Sequence, residues 1–198
     1  MNVTGGDEQD AHDMTRLAGG HPAALNELMD RHGGKLFHYL VRSLQDEGDA
    51  ADLAQETFVR VYQNRAKFDP TQKFSTWLYA IASNLVRDRY RWRSRHPQVS
   101  LEAEAGKENS SSPSVNLPAD EPAPDQRLQT EERAEAVRRA VAALPEELKQ
   151  PLILAIYQDL PQAEIAAILK CSVKAVETRI YRARQQLRAA LAGRLSSI

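Results

Sequence analysis

Leu160 to Leu191, LPQAEIAAILKCSVKAVETRIYRARQQLRAAL, is the stretch whose reading decides the fold. It divides into a short helix, Gln162 to Leu169, a turn of about three residues and a longer helix beginning at Val173. At 100° per residue, Val173, Val176, Ile180, Ala183, Leu187 and Leu191 share one side of the longer helix. Lys174, Thr178, Tyr181, Arg182 and Gln185 share the other. Ile165, Ile168 and Leu169 of the short helix face the apolar side. A short helix, a tight turn and a longer helix with cationic and hydrogen-bonding groups outward predicts a helix-turn-helix. Such a helix fits the DNA major groove. A basic amphipathic helix that is merely solvated, or that meets a protein partner, is the competing reading of this segment alone.

Composition narrows the choice. A chain of 198 residues holds one medium domain or two small ones. Its net charge is only −1, but the distribution is uneven. Seven Lys/Arg face two Glu from Gln162 to Ile198, and five Arg face one Asp from Arg87 to Arg95. Polyanion binding is therefore expected at two local patches. The single Cys171 excludes an intrachain disulfide, which suits a reducing compartment. No apolar run has membrane-spanning length and no signal-peptide pattern opens the sequence, so a soluble, cytoplasmic protein without membrane insertion is expected.

Helical spacing recurs from His21 onward and strand alternation is nearly absent, which predicts an all-α protein of two helical blocks. A short N-terminal helix should stop near Gly19-Gly20, within an extension spanning residues 1–20. A long helix is expected from Pro22 to Leu44, locally weakened by Gly33-Gly34. A third should start with Asp49 as N-cap, and a fourth should run from Ser75 or Thr76 to about Arg93. Between Arg95 and Gln126 the character changes. Five of the ten prolines and the Ser110-Ser111-Ser112 run lie there, with an acidic excess and few large apolar residues. Residues 96–126 therefore read as a flexible acidic linker between blocks at 21–95 and 127–198.

Two helices of the first block carry chemistry. In the third, Ala50, Ala54, Phe58 and Val61 define a core side, while Asp49, Asp52 and Glu56 lie opposite with Leu53 beside them. That pattern fits an acidic docking face for a basic, partly apolar partner, and equally a peripheral core leucine flanked by solubilising acids. In the fourth, Leu78, Ile81, Ala82 and Leu85 point one way, and Asn84, Arg87 and Arg91 another, with Trp77, Tyr79, Tyr90 and Trp92 nearby. Arginines interleaved with aromatics can hold phosphates and stack unpaired bases, and an Asn can read the edge of an extruded base. A core helix with buried tryptophans and a solvated, arginine-rich end is the alternative.

Together these segments become recognisable. DAADLAQETF, residues 49–58, followed by FSTWLYAIASNL, residues 74–85, resembles region 2 of the extracytoplasmic-function (ECF, group 4) sigma factors of the sigma-70 family. LPEEL at 144–148, EIAAI at 164–168 and VETRIYRAR at 176–184 resemble their region 4. The order is the family's, with a linker in place of region 3.

The resemblance implies a factor that binds bacterial RNA polymerase core, directs it to specific promoters and supports their melting. No catalytic or metal-binding motif stands out, so a non-enzyme without cofactor or metal is expected. Asp49, Asp52, Leu53, Gln55 and Glu56 would dock on the β′ clamp helices of the bacterial core, and region 4 would meet the β flap. Lys73, Ser75, Thr76, Asn84, Arg87 and Arg91 would bind and melt the −10 promoter element, with Asn84 holding a flipped non-template base. Lys174, Glu177, Thr178, Tyr181 and Arg182 would read the −35 element. The linker would thread the polymerase cleft, and an anti-sigma factor would hold the protein inactive. An autonomous helix-turn-helix regulator and a helical adaptor are the competing classes. Each leaves one block without work.

Three positions depart from the family pattern. Pro161 stands where a serine or threonine usually caps the first helix of the motif, Glu177 where a basic residue is common, and Pro151 inside or at the start of the preceding helix. A carboxylate at 177 can accept from a cytosine amino group but repels phosphate, which predicts a distinct −35 preference. The five histidines, His12, His21, His32, His38 and His96, form no metal-ligand pattern with the lone cysteine. Cys171 reads as a small, half-buried filler of the turn and not as a redox switch.

Overall fold

The computed structural model describes the backbone of residues 5–96 and 124–195 and the side chains of 5–96 and 132–192. The expected flexible linker falls mostly outside the described residues. Every regular element described is helical. The first block comprises α1 (Gly5–Ala18), α2 (Ala24–Leu44), α3 (Glu47–Gln63), a 3-10 turn (Arg65–Lys67) and α4 (Phe74–Arg95). The second comprises α5 (Pro124–Ala142), α6 (Glu146–Tyr157), α7 (Gln162–Leu169) and α8 (Val173–Leu195). α5 begins at Pro124, so the last three residues of the expected linker are helical. Proline suits a first helical turn, where its missing N–H has no partner to lose.

Apolar spacing builds the first core. Met14 and Leu17 of α1, Leu28, Leu36, Tyr39 and Leu40 of α2, Ala50, Phe58 and Val61 of α3, and Phe74, Leu78, Ala82 and Val86 of α4 are all buried. Gly33 and Gly34 lie within an unbroken α2. That helix ends where Gln45 turns left-handed at φ 58° and donates its N–H to the Val41 carbonyl. α1 is locked on by charge as well as packing. Arg31 of α2 donates to Asp10 at 2.9 Å and to Asp13 at 2.5 Å, and His32 Nε2 lies 2.7 Å from Asp10. Burial alone would raise the Asp13 pKa, but hydrogen bonds from Arg31 and Gln9 hold it below the usual carboxylate value.

The N-cap of α3 is Asp46 and not Asp49. Asp46 is extended at φ −149° and its carboxylate accepts the Asp49 N–H at 2.8 Å. Capping needs that non-helical backbone, which leaves Asp49 one turn inside with its side chain free for other work. α4 starts at Phe74, with Lys73 as its N-cap residue. The loop before it is shaped by Asp69, whose carboxylate accepts both the N–H and the hydroxyl of Thr71, at 2.9 and 2.7 Å.

The second core joins Leu144, Leu148, Leu152, Ile153 and Leu154 to Ile165, Ile168, Val176, Ile180 and Ala183. Pro151 is buried inside α6, which continues through it. α7 closes with Lys170 in the left-handed region at φ 51°, and Ser172 Oγ accepts the Ala175 N–H to begin α8. Lys170, Cys171 and Ser172 are thus the expected three-residue turn, with Cys171 half-buried against the core. Val173, expected on the apolar side, is 41% exposed because it opens the helix before the first core turn. No described helix is long and apolar enough to cross a membrane.

Candidate nucleic-acid and partner interfaces

Three surfaces carry the candidate residues. On α4, counting from Lys73 at 100° per residue, Lys73, Thr76, Asn84, Arg87 and Arg91 fall within an arc of about 80°. Ser75 falls far from them, about 200° round from Lys73, so the helix does not bring it to this face. Arg87 Nη1 donates to Asn84 Oδ1 at 3.2 Å, which orients the amide oxygen of Asn84 towards the cation. Arg91 is exposed and pairs at 3.6 Å with Asp88.

The aromatics nearby divide by burial. Tyr79 is 4% exposed, and burial pushes its hydroxyl well above the usual range, so its ring is not available for stacking on a base. The Tyr90 hydroxyl donates to the Ser43 carbonyl. Trp77 is half-buried beside Phe68, at 5.3 Å between ring centroids. Trp92 alone of the four is well exposed, at 41%, and stacks on His96. The helix therefore has an aromatic core in its middle and a cationic, aromatic surface towards its C-terminus.

On α3 the five candidates separate in the same way. Asp52 and Gln55 are exposed, and Glu56 points outward in an ion pair with Arg60 at 2.8 Å. Asp49 turns inward, its carboxylate taken by Arg89 and Arg93 of α4. Leu53 is 8% exposed and belongs to the core. Of the two readings open for that leucine, the structure has the peripheral core residue. The exposed stripe continues instead through Val59, 46% exposed, and Tyr62, 40% exposed, with Arg65 stacked over the Tyr62 ring at 4.3 Å. Extending the spacing of Asp52, Gln55 and Glu56 by two turns finds both residues in the sequence. Their apolar character hides the signal, because it reads as core.

On α8, Lys174, Glu177, Tyr181 and Arg182 are exposed and Thr178 is half-buried, all on the side away from the core. Tyr181 is 64% exposed, high for so large a ring. Glu177 Oε2 lies 3.5 Å from Lys174 Nζ, so the departing carboxylate partly neutralises the first cation of the helix.

The second block packs on the first across the α4 face. Glu164 of α7 accepts from Lys73 Nζ at 2.7 Å and from Thr76 Oγ1 at 3.4 Å. Its hydrogen bond raises the Lys73 ammonium pKa above the usual value, with Asp7 of α1 adding to the effect. Tyr79 donates to Gln158 Oε1 at 2.5 Å, and Lys149 Nζ donates to the Tyr90 hydroxyl at 3.2 Å. Arg42 of α2 lies over the Tyr157 ring at 4.3 Å. Further along, Arg87 shares a cavity of about 350 Å³ with Glu146, Glu147, Gln150 and Arg179. None of these pairings across the blocks is visible to sequence reasoning, since helix spacing says nothing about which faces meet.

Comparison with known proteins places the arrangement. Residues 28–96 match the family model for sigma-70 region 2, and residues 134–187 that for sigma-70 region 4. The chain is 33% identical to the ECF RNA polymerase sigma factor SigW of Bacillus subtilis, over 85% of its own length and 89% of the relative's. It is 35% identical to the RNA polymerase sigma factor CnrH of Cupriavidus metallidurans, over 89% of its length and 91% of the relative's. Among solved structures it is similar to CnrH in complex with the cytosolic domain of CnrY, with TM-score 0.66, 28% identity and coverage of 93% and 98% of the two chains. The fold is also that of the sigma factor RpoE of Bartonella quintana bound to the anti-sigma factor NepR, with TM-score 0.61 and coverage of 84% and 96%. Two region models in the family's order, and relatives aligned over nearly their whole lengths, make this chain a member of the ECF family of RNA polymerase sigma factors.

Proposed function

We propose that the three surfaces divide the work of transcription initiation. The exposed stripe of α3, with Asp52, Gln55 and Glu56 joined by Val59 and Tyr62, docks on the clamp helices of the polymerase β′ subunit. Asp49 and Leu53 support that stripe from inside. The α4 face engages the −10 element: Lys73, Thr76, Arg87 and Arg91 hold phosphates, and Asn84 offers donor and acceptor to a flipped base. Ser75, in the first turn of α4, lies off that face. α8 enters the −35 major groove with Lys174, Thr178, Tyr181 and Arg182 outward, and Glu177 favours cytosine amino groups over phosphate.

The chain is accordingly a non-enzyme whose polymerase partner performs catalysis in the cytoplasm. Residues 21–95 and 127–198 act as its two working domains, with 96–126 as the tether and 1–20 as an extension. An anti-sigma factor is the expected regulator, and one structure of similar fold is a sigma factor bound to the anti-sigma factor NepR.

The observation that carries the reading is the coincidence of Lys73, Thr76, Asn84, Arg87 and Arg91 on one side of α4. An autonomous duplex-binding regulator would need only α8. The test is to mix the protein with bacterial core polymerase and transcribe a genomic promoter library. Stable complex formation with defined start sites supports the assignment. Sequence-specific duplex binding without core association would move it to an autonomous helix-turn-helix regulator.

A further inference from the structure

Glu164 occupies an unusual position. With Pro161 as N-cap of α7, Glu164 is the third residue of the helix, the place where a capping-box glutamate reaches back to the N–H of the N-cap residue. Proline has no N–H to offer and no hydroxyl to return. The structure shows no side-chain cap at this helix start. The carboxylate is therefore released from its own helix and reaches the other block, where it takes Lys73 and Thr76.

From this geometry we infer that the free chain closes on itself, with Glu164 of α7 seated as a phosphate substitute on the Lys73–Thr76 end of the −10 face. The inference rests on the assignment of α4 to −10 DNA. A second carboxylate supports it at the far end of that face, where Glu146 shares the cavity with Arg87. Region 4 thus presents acids to both cationic ends of the surface that nucleic acid would occupy.

The closed and promoter-bound arrangements exclude one another. Elements centred at −35 and −10 lie about 80 Å apart along B-form duplex at 3.4 Å per base pair. α8, with 23 residues, is only about 35 Å long at 1.5 Å per residue. Glu164 cannot remain on Lys73 while α8 sits at the −35 element. Closing leaves the α3 stripe and the outward side of α8 exposed, so core polymerase can grip the closed chain before it opens.

Two substitutions outside the DNA- and polymerase-binding sets test this on the full chain. Pro161→Ser restores both a hydroxyl cap and an N–H for Glu164, drawing the carboxylate back to its own helix without weakening α7. Glu164→Gln removes the charge. Small-angle scattering should give wild type a compact radius of gyration that grows with added salt. Both variants should be shifted towards the expanded form at low salt. Fluorescence anisotropy with oligo(dT) as single-stranded probe should show each variant binding about two- to fivefold more tightly, the scale of a part-exposed ion pair. Transcription at saturating core should not change. Scattering and oligo(dT) affinity that match wild type in both variants would overturn the closure. If wild type fails to programme core polymerase while the variants still expand, the sigma assignment falls and the closure stands.

Discussion

Replacing Asp49 by Asn separates support from contact on α3. The Asp49 carboxylate is 18% exposed and receives both Arg89 and Arg93, whose side chains are 27% and 34% exposed. Loss of one partner from a buried pair costs about 3–5 kcal/mol, and an exposed pair is worth about 0–1. This cluster lies between those limits. Arg89 Nε is already buried without a partner, so the guanidinium has little else to turn to. Arg93 keeps a longer contact to Asp46 at 3.9 Å, which softens the loss. We expect Asp49→Asn to cost about 1–3 kcal/mol. A domain of this size loses about 4–8 °C per kcal/mol, so its melting temperature should fall by roughly 4–24 °C.

Asp52→Asn supplies the contrast. Asp52 is exposed, and its removal should leave the melt within about 0.5 kcal/mol of wild type. The assay is a thermal melt by circular dichroism paired with core-polymerase binding measured well below both transitions. Asp49→Asn should then bind core nearly as wild type when cold and fail only as it unfolds. Asp52→Asn should bind weakly at every temperature. An Asp49→Asn protein that melts like wild type yet has lost core binding would refute the inward role of that carboxylate.

Four further outcomes are expected. Asn84→Ala should leave duplex binding intact but reduce promoter opening, read as lower permanganate reactivity of unpaired thymines in the holoenzyme complex. Arg182→Ala should weaken −35 duplex binding by about 1–3 kcal/mol at one base position if it reads a base edge, and uniformly with a shallower salt slope if it holds a phosphate; core binding should not change. Gly33→Ala and Gly34→Ala, where an added Cβ meets nothing within 4 Å, should each stabilise the first block by about 0.5–1 kcal/mol in denaturant melts. Tyr39→Phe removes a buried hydroxyl 2.8 Å from Ser83 Oγ, costing about 1 kcal/mol at neutral pH. Burial pushes the Tyr39 hydroxyl up to about 12, so the unfolded chain ionises first and wild-type stability falls between pH 10 and 12. The wild-type advantage over Tyr39→Phe should therefore shift by about 1.4 kcal/mol by pH 11, enough to cancel it, and a constant difference would contradict the buried, neutral phenol.

What the sequence made legible follows the range of the forces involved. Helix-turn-helix boundaries at Gln162, Leu169 and Val173 were readable because local spacing and a short turn determine them. The outward set on α8 was readable for the same reason. The N-cap of α3 was missed because Asp46 and Asp49 are both acceptable caps by type. Only the extended backbone at Asp46 chooses between them. Asp49 reads as outward because periodicity cannot see Arg89 and Arg93 approaching from a helix forty residues away, and spacing alone leaves Leu53 open. Pro161 was legible as a departure, but its consequence was not. The freed partner of Glu164 lies 91 residues earlier in the chain.

The exposure of the ion pairs ranks how firmly each joint of the molecule is made. Between α1 and α2, Asp10 and Asp13 are 4% and 0% exposed, so removing Arg31 would strand buried charge, and that joint should open only on unfolding. Between α3 and α4, Asp49 is 18% exposed and shared by two arginines, a joint that strains but holds. Between α4 and α7, Glu164 is 20% exposed but Lys73 is 39% exposed, so water can replace either partner at little cost. Lys73 also has a second use, because a phosphate offers it the same geometry and more charge. The weakest of these three ionic joints therefore lies between the blocks, at the residues that the proposed −10 role assigns to DNA. A chain whose two halves must separate on polymerase needs strong ionic joints within each half and a weak one between them, and the gradient of exposure from Asp13 to Lys73 supplies that order.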